Sequence, residues 1–166
     1  MNEHGTTTAT PRVSVAIDSA EARKFLDGLL GPVGHPETMA VELGAVRRMA
    51  LAIEDPDPIH YDRDAALRRG YRGIVAPWPF LWLLFFNCSD YHTEFPFGKA
   101  TVHGQDDYEF HEPIVVGDEI TVETQITNWQ VKHGKSGPMA LVLTKRLFTN
   151  QRSELCSVLT TTSIRR

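Results

Sequence analysis

Residues 80–86 read Phe-Leu-Trp-Leu-Leu-Phe-Phe, and no side chain in that run carries a charge. A segment that is apolar on every side must be buried on every side, so the rest of the chain has to wrap it. The surrounding apolar stretch, Ile74–Phe86, is interrupted by Pro77 and Pro79 and falls short of the roughly 20 residues that span a bilayer. A buried strand and a buried helix both fit a run of this length. A proline at a first helical turn favours the helix, because its missing N–H has no intrahelical partner there.

The material that can wrap such a helix follows it. Ile120, Val122, Thr124 and Ile126 alternate with Thr121, Glu123, Gln125 and Thr127, the period of a half-buried strand. Val116-Gly117-Asp118-Glu119 reads as a turn before that strand, and Gly134–Pro138 as a turn after it. Met139–Phe148 and Leu155–Ser163 read as two more strands, separated by Asn150–Ser153. Thr101–Phe110 reads as a less regular strand, with a bulge expected at Gly104.

Upstream, residues 1–16 read as a mobile arm. Asp18 or Ser19 caps a helix over Ala20–Leu30, and Gly31-Pro32 ends it. Gly34–Pro36 reads as a connector. Leu43, Val46, Met49, Ala50 and Ile53 recur at helical spacing, predicting a helix from about Gly44 to Ile53 that stops at Pro56. Asp62 is placed to cap a short helix over Arg63–Arg69, with Gly70 just past its end. Helices segregated from a run of strands indicate an α+β fold, an antiparallel sheet around one long central helix. The expected division is an arm and short helix over residues 1–37 and a single domain over residues 38–166.

A net charge of −4 offers no electrostatic reason to expect nucleic acid or an anionic membrane as partner. Cys88 and Cys156 fit no metal or redox spacing, and His92, His103, His111 and His133 fit no metal-ligand spacing. The polar Met1–Thr10 does not read as a signal peptide, so a cytoplasmic protein is expected.

Asp55-Pro56-Asp57-Pro58-Ile59-His60 concentrates the chemistry. Two prolines force the chain out of the preceding helix into a sharp turn, which can bring Asp55 and His60 into one small volume. A carboxylate and an imidazole held together can position and activate one water. A helix stop with His60 on a solvated loop is the bland alternative, and Asp57 fits the role of a turn cap.

With Tyr61 and Asp62 added, the stretch resembles the Asp-x-Asn-Pro-aliphatic-His-x-Asp motif of the MaoC-like hydratases of the hot-dog fold, departing from it at Asp57. Gly73-Ile74-Val75-Ala76-Pro77 resembles the segment that opens that family's central helix. Tyr108–Pro113 followed by Val116-Gly117-Asp118 resembles the strand and turn after it. Val41–Val46 and the Ala76-Pro77 pair look most like the subgroup of N-terminal MaoC or FAS1-like dehydratases. The resemblance covers about residues 38–164.

The resemblance implies reversible hydration of trans-2-enoyl thioesters to R-3-hydroxyacyl thioesters, with Asp55 and His60 as the catalytic pair. It implies no metal or other cofactor, the substrate being carried as a CoA or acyl-carrier-protein thioester. Many relatives use a glycine amide as oxyanion donor where this chain has Pro77. The donor is therefore expected at the amide of Ala76 or Trp78. Trp78, Phe80 and Trp82 are expected to shape the substrate pocket, although core packing explains each of them as well. Lys132, Lys135 and Arg152 are candidates for CoA phosphates, with solvated loops the commoner role. A homodimer, or a heterodimer with another MaoC-like chain, is expected. A non-catalytic, pocket-shaping subunit is the competing class. Hot-dog thioesterases and the dehydratases of dissociated fatty-acid synthesis place a carboxylate on the central helix, and Pro77–Asn87 contains no Asp, Glu or His.

Overall fold

The computed structural model describes residues 15–86 and 95–166. Most of the expected arm, together with Cys88, Asp90 and His92, lies outside them. Five strands form one antiparallel sheet in the order β1-β3-β4-β5-β2, with β1 Gly31–Ala40, β2 Thr101–Phe110, β3 Glu119–Gly134, β4 Gly137–Asn150 and β5 Leu155–Arg165. The helices are α1 Ala20–Gly28, α2 Leu43–Ala52, α3 Arg63–Arg68 and α4 Phe80–Phe86. This is the α+β hot-dog arrangement, with the apolar run laid against the sheet. Of the expected long central helix, Phe80–Phe86 falls within the described residues.

The core follows from the two periodicities. Phe80, Leu81, Leu84 and Phe85 of α4 are buried together with Val46 of α2 and with Ile120, Val122, Phe148 and Leu159 from the sheet. Each such side chain contributes about 1.5–3 kcal/mol on burial. A second cluster covers the other end of the sheet. There Ala22 and Leu26 of α1 pack with Phe97, Ile126, Ala140 and Val142. The N-terminal helix, capped by Ser19 through a bond from the Ala22 amide, is thus part of the domain core.

Two expectations need correction. Gly34–Pro36 is not a connector, because Gly31–Ala40 is a strand hydrogen-bonded to β3 from Gly31↔Ile126 to Ala40↔Glu119. The sheet therefore begins before residue 38. Its register slips between Val33 and Glu37, where Gly34, His35 and Pro36 stand. An edge strand needs partners on one side only, so it tolerates prolines that a central strand would not. The strand expected over Ile120–Thr127 runs on to Gly134. A register shift between Ile126 and Asn128 moves the inward set from even to odd positions, so that Trp129 and Val131 join the α1 cluster.

The turn that opens β3 is held electrostatically. Asp118 is buried, and its carboxylate accepts from the Val115 amide at 3.0 Å and from both terminal nitrogens of Arg72 at 3.2 Å. Arg152 and Gln151 lie at 3.4 and 3.3 Å. Burial pushes the Asp118 carboxyl up, but Arg72, the Val115 amide and Gln151 outweigh it and hold the group below the ordinary carboxylate range. Arg152, a candidate for phosphate contact, is instead tied to Asp118 and to Glu154 at 2.7 Å.

Because its folded-state pKa is depressed, Asp118 contributes stability that is present above the unfolded value near pH 4 and lost as pH falls through the folded value. Asp118→Asn should lower stability at pH 7 and flatten the acid limb of a urea-denaturation series. An acid limb as steep as wild type would contradict this assignment. The bulge in β2 falls where expected, between His103 and Gln105. A Cβ on Gly104 would sit 2.8 Å from the Thr162 carbonyl oxygen. Gly104→Ala should therefore cost about 1–3 kcal/mol, read as a lowered denaturation midpoint.

Candidate active site

The Asp55–His60 turn is built from local bonds. Glu54 leaves α2 with φ 55°, a left-handed conformation unusual outside glycine, and the Asp55 amide bonds back to the Ala50 carbonyl at 2.9 Å. Strain at that point redirects the chain immediately before the acid. Asp55 Oδ1 then accepts from the Asp57 amide at 2.9 Å, and Asp57 Oδ1 accepts from the Ile59 amide at 3.2 Å. Pro58–His60 forms a single 3-10 turn. The Tyr61 hydroxyl donates to the Asp55 carbonyl at 2.7 Å, and Arg47 donates to the Tyr61 carbonyl at 2.9 Å.

Asp57, the departure from the motif, caps the turn as expected and also pairs with Arg69 at 2.6 and 2.8 Å. The Ile59 amide and the Arg69 guanidinium hold its carboxyl below the ordinary range. Asp62 caps α3 through the Asp64 amide.

These bonds bring the pair together. His60 Nε2 lies 3.3 Å from Asp55 Oδ2, with the imidazole buried and the carboxylate about a third exposed. His60 Nδ1 lies 2.7 Å from the Val75 carbonyl oxygen. A carbonyl only accepts, so Nδ1 carries the proton and donates. In the neutral ring Nε2 is then a bare acceptor facing a carboxylate oxygen, also an acceptor. Two acceptors at that distance repel unless a donor serves both. One water can do so with its two protons, which is the arrangement a hydration reaction needs.

Val75 also donates its amide to the Ile59 carbonyl at 3.0 Å, so the segment leading into α4 is clipped to the His60 turn from both sides. Past Val75 the free amides run out quickly. The Ala76 amide bonds to the Ile114 carbonyl at 2.9 Å, which removes Ala76 as an oxyanion donor. Pro77 and Pro79 have no N–H. The Phe80, Leu81 and Trp82 amides bond to the Pro77, Trp78 and Pro79 carbonyls. Among the described residues, the Trp78 amide alone of this set has no backbone hydrogen bond.

A cavity of about 210 Å³ opens beside this amide, lined among others by Val75, Trp78, Phe80, Phe110, Cys156 and Ser157. Trp78 is 57% exposed, whereas Phe80 is buried in the core with only part of its surface on the cavity. Trp82 does not line it; its indole N–H donates to the Tyr108 hydroxyl. Asp55 and His60 are not among the lining residues either, and Val75 stands between them and the cavity. Val75 and Tyr108 lie in the two segments that carried the resemblance, but neither was assigned a role of its own from the sequence; the structure makes Val75 the partner of His60 and Tyr108 the partner of Trp82. Among the described residues no three His, Cys, Asp or Glu side chains gather closely enough to hold a metal ion, and no helix is long and apolar enough to cross a membrane.

Comparison with known proteins agrees with this architecture. The model of the FAS1-like dehydratase domain region matches residues 29–157. A UPF0336 protein of Saccharopolyspora erythraea is 34% identical over 106 residues, covering 60% of this chain and 68% of that protein. The truncated HadBC (3R)-hydroxyacyl-ACP dehydratase complex of Mycobacterium tuberculosis superposes with a TM-score of 0.64 at 26% identity, over 82% of this chain and 96% of that one. A MaoC-like dehydratase superposes with a TM-score of 0.66 at 27% identity, over 84% of this chain and 43% of that one. The strand order, the buried helix and the matched segment lead to one conclusion: this chain belongs to the FAS1-like dehydratase domain family and is a MaoC-like hot-dog protein.

Proposed function

We propose that the chain catalyses reversible hydration of trans-2-enoyl thioesters to R-3-hydroxyacyl thioesters, carried on CoA or on an acyl-carrier protein. The observation that carries this reading is the Asp55–His60 pair, with Nδ1–H fixed on Val75 and Nε2 turned to Oδ2. In hydration, the water held by both acceptors attacks the β-carbon. One acceptor takes its proton, and a proton from the resulting conjugate acid goes to the α-carbon on the same face. The elements of water are thereby added across the double bond. The thioester carbonyl develops negative charge at its oxygen during attack, and the Trp78 amide is the donor available to meet it.

The site works within a pair of chains. The β1 edge carries Pro32 and Pro36 and a register break, which leaves gaps in its hydrogen-bonding row. The β2 edge, Thr101–Phe110, contains no proline and exposes Val102 and Phe110. A second hot-dog chain, identical or MaoC-like, therefore adds to β2. HadBC, similar in fold and at 26% identity, is itself a complex.

One observation favours a second reading. The cavity beside Trp78 does not include Asp55 or His60, as expected if this chain shapes a pocket for a partner that performs the chemistry. Hydration by the purified chain alone, compared with the chain co-expressed with a neighbouring MaoC-like protein, separates the two readings. Under the catalytic reading, Asp55→Asn and His60→Ala each lower turnover of an enoyl-CoA by about 10²–10⁴-fold with folding retained. Near-wild-type activity in both variants would end the assignment. Sedimentation at micromolar concentration should give the mass of two chains; an active monomer would contradict the edge-pairing argument.

A further inference from the structure

Asp55 is held at three of its four polar groups. Its amide donates to the Ala50 carbonyl at 2.9 Å, its Oδ1 accepts from the Asp57 amide at 2.9 Å, and its own carbonyl accepts from the Tyr61 hydroxyl at 2.7 Å. The fourth, Oδ2, is the atom turned to His60 Nε2 at 3.3 Å. Neither of the first two bonds involves the side chain of residue 61. The third is made by that side chain, reaching back six positions to the acid.

The Tyr61 bond acts on Asp55 through its backbone. Asp55 precedes Pro56, which biases it toward extended conformations but leaves about 40° of ψ open within them. The direction of the Asp55 carbonyl fixes ψ in that range. That angle in turn sets how the Asp55 side chain stands relative to the prolyl turn that carries His60. A hydroxyl bonded to this carbonyl therefore fixes where Oδ2 lies against Nε2.

Tyr61 is itself braced. Its carbonyl accepts from Arg47 Nη2 of α2 at 2.9 Å, its amide donates to the Pro58 carbonyl at 3.0 Å, and its ring stands edge-on to the His60 imidazole at 6.5 Å. One residue thus bears on both members of the pair and ties them to the helix from which the turn leaves. A carbonyl only accepts, so the Tyr61 hydroxyl proton is committed to Asp55 and does not serve the reaction directly. Tyr61 occupies the open position before the last Asp of the Asp-x-Asn-Pro-aliphatic-His-x-Asp motif, so no role for it follows from the resemblance. A clasp that adds stability and nothing else is the plain alternative.

We propose that Tyr61 is a positioning residue: through the Asp55 carbonyl, its hydroxyl holds Oδ2 where one water serves both Oδ2 and His60 Nε2. The proposal rests on the hydratase reading above. Displacing a reacting group by about 1 Å can cost about 10²-fold in rate, far more than one exposed hydrogen bond contributes to folding.

The test is a double-mutant cycle of Tyr61→Phe and Asp55→Asn in the full-length protein. Values of kcat and KM for an enoyl-CoA are measured separately and normalised to the folded fraction read from urea denaturation. Phenylalanine keeps the ring beside His60 and removes the hydroxyl. Tyr61→Phe should lower kcat about 10-fold or more and leave KM within about twofold. In the Asp55→Asn background the same change should lower kcat by less than about twofold, because no carboxylate remains to be placed. A clasp that only stabilises would lower the urea midpoint and leave kcat per folded molecule unchanged. Should Tyr61→Phe fail to fold, Arg47→Gln decides: it loosens Tyr61 from an exposed position, and its smaller fall in kcat should likewise vanish in the Asp55→Asn background. A kcat for Tyr61→Phe within about twofold of wild type, or an equal fall in both backgrounds, overturns the positioning role and leaves the hydratase reading standing. Wild-type protein inactive both alone and with a co-expressed MaoC-like neighbour, or an Asp55→Asn variant as active as wild type, overturns the hydratase reading itself and the positioning role with it.

Discussion

The whole arrangement depends on one backbone residue. Val75 donates its amide to Ile59, accepts from His60 Nδ1 through its carbonyl, and bridges to Val115 at the turn before β3. Three separate pieces of chain, the Asp55–His60 turn, the lead into the buried helix and the turn before β3, are thereby fixed to one another. The carbonyl also settles the histidine tautomer, because it accepts a proton and cannot give one. In the neutral ring Nε2 is then the acceptor turned to Asp55.

Around this clip the charged groups divide the work. Arg69 on Asp57 and Arg72 on Asp118 hold the two turns that flank Val75, and neither acid takes part in the proposed reaction. The Asp55–His60 pair is bonded chiefly through backbone groups: the Asp57 amide on Asp55 and the Val75 carbonyl on His60. Such partners do not titrate, although the Asp57 amide is itself placed by the Asp57–Arg69 pair. Asparagine at position 57 would cap the turn as well as aspartate does, but it would lose the charge pair with Arg69. The motif departure and Arg69 thus compensate one another.

Much of this was readable from the sequence because it is local. Asp55 and His60 are five positions apart with rigid prolines between them, and the Asp57 and Ile59 amides that bond Asp55 and Asp57 lie within the turn. Asp62, Gly70 and the bulge at Gly104 were legible for the same reason. What was not legible depended on distant partners. Gly31–Pro36 has the composition of a connector and becomes a strand only because β3 offers it one edge. The second half of β3 was hidden by a shift in alternation at Asn128. Nothing near Ala76 shows that its amide is taken by Ile114, nor that Trp82 and Asp106 meet through Tyr108.

The central claim is that Val75 holds a proton on His60 Nδ1, so that in the neutral ring Nε2 is the acceptor turned to Asp55. Nitrogen-15 NMR of histidine-labelled protein reads the protonation of each ring nitrogen directly. The account predicts that His60 Nδ1 carries a proton at every pH at which the protein is folded, with the coupling and shift of a hydrogen-bonded donor. A His60 ring protonated only on Nε2, with Nδ1 bare, would contradict it.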